Sequence, residues 1–240
     1  AMVNRLWKSL MGHGLVEPVD DFRSTNPATH PALLNQLAED FMNHGYDIRH
    51  TLKVIATSSA YARSSIPVGR NQSDNRFYSH MMQKPLEPEV LADAISDVLG
   101  IAAQYGKENP GTRAVELRDG GIRSDALDIL GRCDRTNSCE GTPSPTSPLA
   151  QKLHLFNGEL LNKRLGAEGG RLDQWIRTEK KPMEIVREFY QAALNRNPNE
   201  KEIQFLSQLL DDQKPSRQQR DALEDIVWSI LTCREFIINH

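Results

Sequence analysis

The sequence predicts an all-α protein: a multi-helix domain, orthogonal or bundle-like, with two long irregular connectors. Three observations favour this class. Apolar residues recur every three or four positions through most of the chain, which is the spacing of one helix face. Prolines, aspartates and glycines stand where helices are expected to begin and end. Strand-like sequence is almost confined to "TRAVEL", residues 112–117.

The first half of the chain contains three clear helical segments. In "HPALLNQLAEDFMNHG", Pro31 suits the first turn of a helix and Gly45 lies beyond its end. One face of this helix is apolar and carries Leu33, Leu34, Leu37 and Phe41. Asp47 can cap the next helix, whose apolar positions are Ile48, Leu52 and Ile55. The segment "EPEVLADAISDVLG" predicts a third helix that ends at Gly100.

Helical periodicity continues in the second half. The segment "SPLAQKLHLFNGELLNKRLG" repeats apolar residues at Leu149, Leu153, Phe156 and Leu160. The last third of the chain predicts three amphipathic helices. Their apolar positions are, in order, Ile185, Val186, Phe189, Tyr190 and Ala193; Ile203, Leu206 and Leu210; and Leu223, Ile226, Val227, Ile230 and Leu231.

Two connectors interrupt this helical pattern, at residues 14–34 and 104–147. The second contains "NPGTRAVELRDGG" and "GRCDRTNSCEGTPSPTSP", which are rich in turn-forming residues. Connectors of this length in a compact domain are usually functional or disordered. We expect a single helical domain over residues 1–240, with possible lobes 1–166 and 167–240 because "LGAEGGR" interrupts the pattern there.

Composition and charge exclude several classes of function. The 240 residues are 38% hydrophobic with a net charge of −3, which gives no electrostatic reason to expect a nucleic-acid partner. No run approaches the roughly 20 apolar residues of a membrane span. The three cysteines form no CxxC or CxxCH motif, so we expect no metal site and no covalently attached haem in this chain.

Five stretches carry a resemblance to a known family. In order, they are "NRLWKSLMGHGLVEPVDDFRSTNPATHPALLNQLAEDF", "GTRAVEL", "LAQKLHLFNGELLNKRL", "AALNRNPNEKE" and "CREFIINH", and together they cover nearly the whole chain. The sequence resembles the planctomycete-specific C-terminal domain of unknown function found downstream of planctomycete-type cytochrome c domains in large exported proteins. The resemblance implies an extracytoplasmic location, in the periplasm or at the cell surface. It also implies upstream domains of the same polypeptide as partners, with haem only in those domains.

The resemblance supplies no catalytic residues, and this chain departs from the family pattern at the cysteines. The family often has a Cys-Glu-Cys run before the "LAQ" helix, where this chain has Cys139 followed by Glu140 and a glycine. Cys133 can act as a substitute partner for Cys139. We predict a disulfide between the two, because export supplies an oxidising environment and the five residues between them are turn formers. So short a loop gives only about 2 kcal/mol of stabilisation.

The first connector contains the candidates for acid–base chemistry. Asp20 and Asp21, with Arg23, could orient a substrate, and His30 could carry a proton near neutral pH. The alternative, which we favour, is structural: Asp and Asn side chains organise turns, and His30 can cap the helix that Pro31 begins.

The second connector and the helix after it contain the other candidates. His154 and Asn157 lie three residues apart on one helix face and could line a polar pocket, or could be a buried pair that satisfies loop carbonyls. Arg113 could clamp a carboxylate or sulfate ligand, or tie its loop to an acidic neighbour such as Asp20 or Asp21. The candidate ligand-binding residues are therefore Arg23, Arg113, Glu140 and Asn157.

The leading hypothesis is a non-haem helical accessory domain of an exported, cytochrome-associated multidomain protein, with a ligand-binding or interdomain docking role. One alternative is an extracytoplasmic enzyme acting on polysaccharide, with acid–base groups from Asp20, Asp21, His30 and His154. The other is a purely structural domain. The sequence has no G-x-S-x-G elbow and no glycine-rich phosphate loop after a strand, which lowers the case for common hydrolase, kinase and dehydrogenase chemistry.

Overall fold

The computed structural model describes residues 1–118, 121–132, 159–211 and 216–239. These residues form an all-α fold, as the periodicity predicts, and contain eleven α-helices. The helices are α1 Met2–Met11, α2 Pro31–Asn43, α3 Ile48–Ala56, α4 Pro88–Leu99, α5 Asp125–Leu130, α6 Glu159–Leu165, α7 Arg171–Arg177, α8 Pro182–Leu194, α9 Glu200–Asp211, α10 Ser216–Thr232 and α11 Arg234–Ile237.

Extended structure is limited, in this part of the chain, to two short strands. β1 Lys84–Pro85 and β2 Ile238–Asn239 form a two-stranded sheet. The strand-like stretch 112–117 instead contains a 3-10 turn, Ala114–Glu116. The turn forms because the carboxylate of Asp93 accepts the backbone N–H groups of both Ala114 and Val115. In a β-strand, such groups would instead bond to a neighbouring strand.

The chain divides into two compact units. Among the described residues, the first is Ala1–Lys84 with Asn239, and the second comprises most of residues 85–238. This division differs from the expected lobes 1–166 and 167–240, since α4 and α6 share one core with α8 and α10, and so residues on both sides of position 166 belong together. No helix among the described residues combines the length and the apolar character that crossing a membrane requires.

The first unit contains α1, α2 and α3 around a core of its own. The buried residues are Val3, Trp7, Met11, Leu15, Leu37, Phe41, Ile55, Tyr78 and Met81. Pro31 occupies the first turn of α2, as expected. The predicted cap of α3 is also present, because the carboxylate of Asp47 accepts the N–H groups of Arg49 at 2.8 Å and of His50 at 3.2 Å.

The second unit has a larger apolar core built mainly by α4, α8 and α10. Its fully buried members include Ile95, Leu161, Val186, Phe189, Val227 and Leu231. The helical stripes predicted from sequence supply most of these positions, so each amphipathic helix turns its apolar face to a common interior.

Candidate functional site

A buried amide on α1 holds the first part of the connector at residues 14–34. Asn4, on α1, is fully buried, and its Nδ2 donates hydrogen bonds to the carbonyl oxygens of Val16 at 2.9 Å and Val19 at 2.8 Å. Its Oδ1 accepts the N–H of Val16 at 3.1 Å. All three backbone groups are thereby satisfied away from water. Nothing in the local sequence around Asn4 distinguishes it from a surface asparagine, so its role is visible only in the structure.

Further polar side chains of the connector bond to its own backbone. Glu17 accepts the N–H of Gly14 at 2.7 Å and forms an ion pair with Lys8 at 3.2 Å. Asn26 donates to the carbonyl oxygens of Glu17 at 3.1 Å and Asp21 at 2.8 Å. These contacts organise the turn in the way that the structural alternative predicts.

The two carboxylates at the centre of the connector are bound by two different arginines. Asp20 accepts from Arg5 at 3.0 and 2.6 Å, and Asp21 accepts from Arg23 at 2.6 and 2.5 Å. The guanidinium hydrogen bonds lower the pKa of each carboxyl group below its ordinary value. Both groups are therefore ionised at neutral pH and are poorly suited to act as general acids.

His30 stands immediately before α2, but its side chain does not cap that helix. Its Nδ1 lies 3.3 Å from the hydroxyl oxygen of Thr29. The imidazole ring also faces two aromatic rings, with centroid distances of 6.0 Å to Phe77 and 5.9 Å to Tyr78. The acid–base candidates of the first connector thus have three separate sets of partners.

Arg113 binds acidic residues of α4. Its Nη2 lies 2.7 Å from the Oδ2 of Asp97, and its Nε lies 3.5 Å from the Oδ2 of Asp93. The hydrogen bond to Asp97 raises the pKa of the guanidinium. The expected partnership with Asp20 or Asp21 is wrong: α4 presents two carboxylates four residues apart, on one helix face and next to the Arg113 loop. Arg113 therefore fastens its own loop to α4.

Several sequence-based candidates lie outside the described residues. They are Cys133, Cys139, Glu140, His154 and Asn157. The disulfide and the polar pocket that they were expected to form stay predictions.

A cluster that the sequence analysis did not single out lies where α2 meets α3. The Oδ2 of Asp40 is 2.9 Å from the Nε2 of His50, and the Oδ1 of Asp40 is 3.2 Å from the Nδ1 of His44. The two imidazole rings are stacked, with centroids 3.7 Å apart and planes inclined by 17°. Among the described residues, this is the one group of three His, Cys, Asp or Glu side chains whose ligand atoms converge, within 4.8 Å of one another.

Part of this cluster was visible in the sequence. Asp40 and His44 have the i, i+4 spacing that places two side chains on one helix face. His50 joins them only because the turn after α2 folds α3 back. In that turn Tyr46 has a φ of 64° and packs its ring against Phe41, with a centroid distance of 5.4 Å. A left-handed residue other than glycine is not foreseeable from the local pattern.

The segment between α3 and β1 exposes three large apolar side chains. Ile66 is 72% exposed, Val68 75% and Phe77 58%. Asp74 holds this segment in shape, because its carboxylate accepts the N–H groups of residues 76, 77 and 79. The side chain and N–H of Ser79 and the other two N–H groups keep the pKa of Asp74 well below its ordinary value. We call residues 66–77 the apolar loop.

Comparison with known proteins gives one family match. The model of the family described as "PSD1: Protein of unknown function (DUF1553)" matches residues 1–210. No curated protein and no solved structure matches the chain.

Proposed function

The chain belongs to the DUF1553 family of proteins of unknown function, and we propose that it is a non-haem accessory domain that docks onto neighbouring domains of its own polypeptide. The sequence resemblance described above supports the further proposal that this polypeptide is an exported planctomycete protein with cytochrome c domains upstream. In that setting the haem chemistry belongs to the upstream domains, and this chain positions them.

The observation that carries the docking proposal is the apolar loop. Ile66, Val68 and Phe77 lie within twelve residues of one another and are each more than half exposed. Contiguous exposed apolar surface marks interaction sites, and we propose that these three side chains contribute to one such surface. The hydrogen bonds of Asp74 hold the turn around Phe77, and the Oδ1 of Asn71 accepts the N–H of Val68 at 2.6 Å. These contacts reduce the conformational entropy that the loop loses on docking.

A covalently linked partner suits an apolar surface of this small size. Linkage converts docking into an intramolecular event with an effective concentration of about millimolar. A weak contact is then sufficient to keep two domains together, whereas the same contact between separate proteins would be mostly dissociated. The upstream domains of the same polypeptide are therefore the partner that we propose.

An enzyme acting on polysaccharide has less support. Such chemistry commonly needs one carboxyl group that stays protonated and a second that stays ionised. Asp20 and Asp21 are both held in the ionised form by arginines, and each is directed to its own partner. Asp20 joins the connector to α1 through Arg5, and Asp21 pairs with Arg23 inside the connector.

Limited proteolysis tests the docking proposal. Arg70 and Arg76 are exposed trypsin sites within the apolar loop, and Lys107 is an exposed site in the second unit. We expect trypsin to cleave after Arg70 and Arg76 in the isolated chain and to spare them in the full-length gene product. Cleavage after Lys107 provides the internal reference. Equal cleavage of the apolar loop in both proteins would contradict docking through this surface.

A matched pair of variants makes the test specific. The triple change Ile66→Ser, Val68→Ser and Phe77→Ser should restore cleavage in the full-length product, because it removes the apolar contact. The control changes Gln72→Ser and Asn75→Ser lie in the same loop at exposed polar positions and should leave the protection intact. Absence of a Soret band from the full-length product would contradict the cytochrome part of the proposal.

A further inference from the structure

We propose that Asp40, His44 and His50 form a binding site for one divalent transition-metal ion, of which Zn²⁺ is the best-suited probe. Nothing in the docking function requires this site, since it lies on α2 and α3 and uses none of the residues of the apolar loop. The proposal rests on the convergence of three ligand side chains, on how the backbone holds them, and on the chemistry of the donor atoms.

The donor atoms match the coordination preferences of zinc. Two imidazole nitrogens and one carboxylate oxygen form a ligand set typical of open zinc sites, with metal–ligand distances of about 2.0–2.2 Å. The three ligand atoms lie within 4.8 Å of one another, so one ion can reach all of them once the imidazole rings are reoriented. Ca²⁺ and Mg²⁺ prefer oxygen ligands, and a site with two nitrogens selects against them.

The backbone already holds the three residues in place. Asp40 and His44 are one helical turn apart, and the N–H of His44 donates to the carbonyl oxygen of Asp40 at 3.0 Å. His50 lies in the first turn of α3, where its own N–H is fixed by the Asp47 cap at 3.2 Å. Ligands carried by regular elements keep their positions better than ligands on loops.

Binding requires the two imidazole rings to leave their stacked arrangement. With the planes inclined by only 17°, the lone pairs of the two rings run nearly side by side and do not meet at one point. His44 can turn out of the stack by side-chain rotation alone, because it is the C-cap residue that follows α2 and its side chain is 48% exposed. This rotation also moves its Nδ1 away from the carbonyl oxygen of Asp40, which lies 2.9 Å from it. An opened stack is therefore a structural signature of the bound state.

The coordination sphere remains open on the solvent side. The three side chains are between 30% and 48% exposed, and they provide three of the four ligands that zinc normally takes. Water, or a group from another molecule, completes the sphere. This openness distinguishes the site from a closed structural zinc site.

Titration of the tag-free, metal-stripped chain with Zn²⁺ by isothermal calorimetry tests the proposal. We expect a stoichiometry of one ion per chain and no heat of binding with Ca²⁺. Each of His44→Gln, His50→Gln and Asp40→Asn should weaken binding by at least about tenfold, since even outer-shell changes at metal sites cost that much. His13→Gln is the control, because His13 is also a partly exposed histidine of the first unit beside a carboxylate, Glu17, and should leave the affinity unchanged.

Nuclear magnetic resonance of the imidazole groups gives a second readout on the unaltered chain. Zn²⁺ should shift the ring signals of His44 and His50 and abolish the ring-current effect of their stacking, while the signals of His13 stay in place. This readout remains decisive even when a variant fails to fold. Binding of several ions, equal affinity in all variants, or shifts spread over every histidine would overturn the proposal. Zn²⁺ binding that leaves the His44 and His50 rings stacked would also overturn the proposal.

Discussion

Asn4 illustrates how one side chain can organise a whole connector. Its amide makes three hydrogen bonds to the backbone of Val16 and Val19, at a position that is fully buried. Asp20 of the same connector forms an exposed pair with Arg5 instead. Because buried polar groups are costly to leave unpaired and exposed ion pairs contribute little, Asn4 stabilises the connector more than the pair of Asp20 with Arg5 does.

We therefore expect Asn4→Ala to lower the free energy of unfolding by about 2–3 kcal/mol, since it leaves buried backbone groups without partners. Chemical denaturation measures this change. Two controls are Asn35→Ala, at an exposed position of α2, and Asp20→Ala, which removes an exposed pair. Both should unfold close to the wild type. A loss from Asp20→Ala as large as that from Asn4→Ala would contradict this account of the connector.

At the scale of helices, α8 is the central element of the second unit. Phe189 on α8 is fully buried, and its ring meets Trp175 of α7 edge to face at a centroid distance of 5.1 Å. Phe205 on α9 is 65% exposed. We expect Phe189→Ala to cost about 3–5 kcal/mol through lost burial and a cavity. Phe205→Ala should change the free energy of unfolding by less than about 0.5 kcal/mol. If urea titrations showed that Phe189→Ala and Phe205→Ala lower the free energy of unfolding equally, the assignment of Phe189 to the core would be refuted.

A second link between helices depends on pH. Asp173 on α7 has a side chain only 4% exposed and pairs with Arg177 at 3.1 Å and with Arg220 of α10 at 3.2 Å. The N–H of Gly169, then these arginines, lower the pKa of its carboxyl group. As pH falls, the carboxyl group of Asp173 is therefore protonated at a higher pH in the unfolded chain than in the folded chain. The stabilisation is complete above the ordinary aspartate pKa of about 3.9 and is lost as pH falls through the lower folded value.

The expected result is that Asp173→Asn melts below the wild type at pH 7, and that this difference shrinks as pH falls below about 4. Thermal melts followed by circular dichroism at several pH values measure it. Asp221→Asn, at an exposed position of α10 next to Arg220, is the matched control and should melt close to the wild type. A difference for Asp173→Asn that stays constant down to pH 2 would show that the charge of Asp173 contributes no stabilisation.

At the scale of the whole molecule, the chain has more than one core. The first unit, Ala1–Lys84, has a core cluster of nine buried apolar side chains, among them Trp7, whose ring meets Tyr78 edge to face at 5.3 Å. A unit of this length can bury enough apolar surface to fold alone. The helices of the second unit share a separate interior, to which residues on both sides of position 166 contribute.

We expect a fragment of residues 1–84 to be helical and to melt cooperatively when it is produced alone. Circular dichroism through a thermal melt tests this. The same fragment with Trp7→Ala should lose the cooperative transition, because the substitution removes the largest aromatic side chain from its core. A wild-type fragment that melts without a transition would contradict the assignment of an independent unit.

The local sequence determined α2, α3, α4 and the three longest helices of the last third, because an apolar repeat of 3.6 residues, a proline at Pro31 and a cap at Asp47 act through neighbouring residues. It did not single out α1, α5, α7 or α11. It also determined the family, since the stretches that carry the resemblance run along the chain. Only the tertiary structure decided the partners of side chains distant in sequence. Asn4 reaches Val19, Arg113 reaches Asp97 and His50 reaches Asp40 because of how helices and turns are placed. A residue type fixes what a side chain can bind, whereas the fold decides which of many chemically equivalent partners comes within bonding distance.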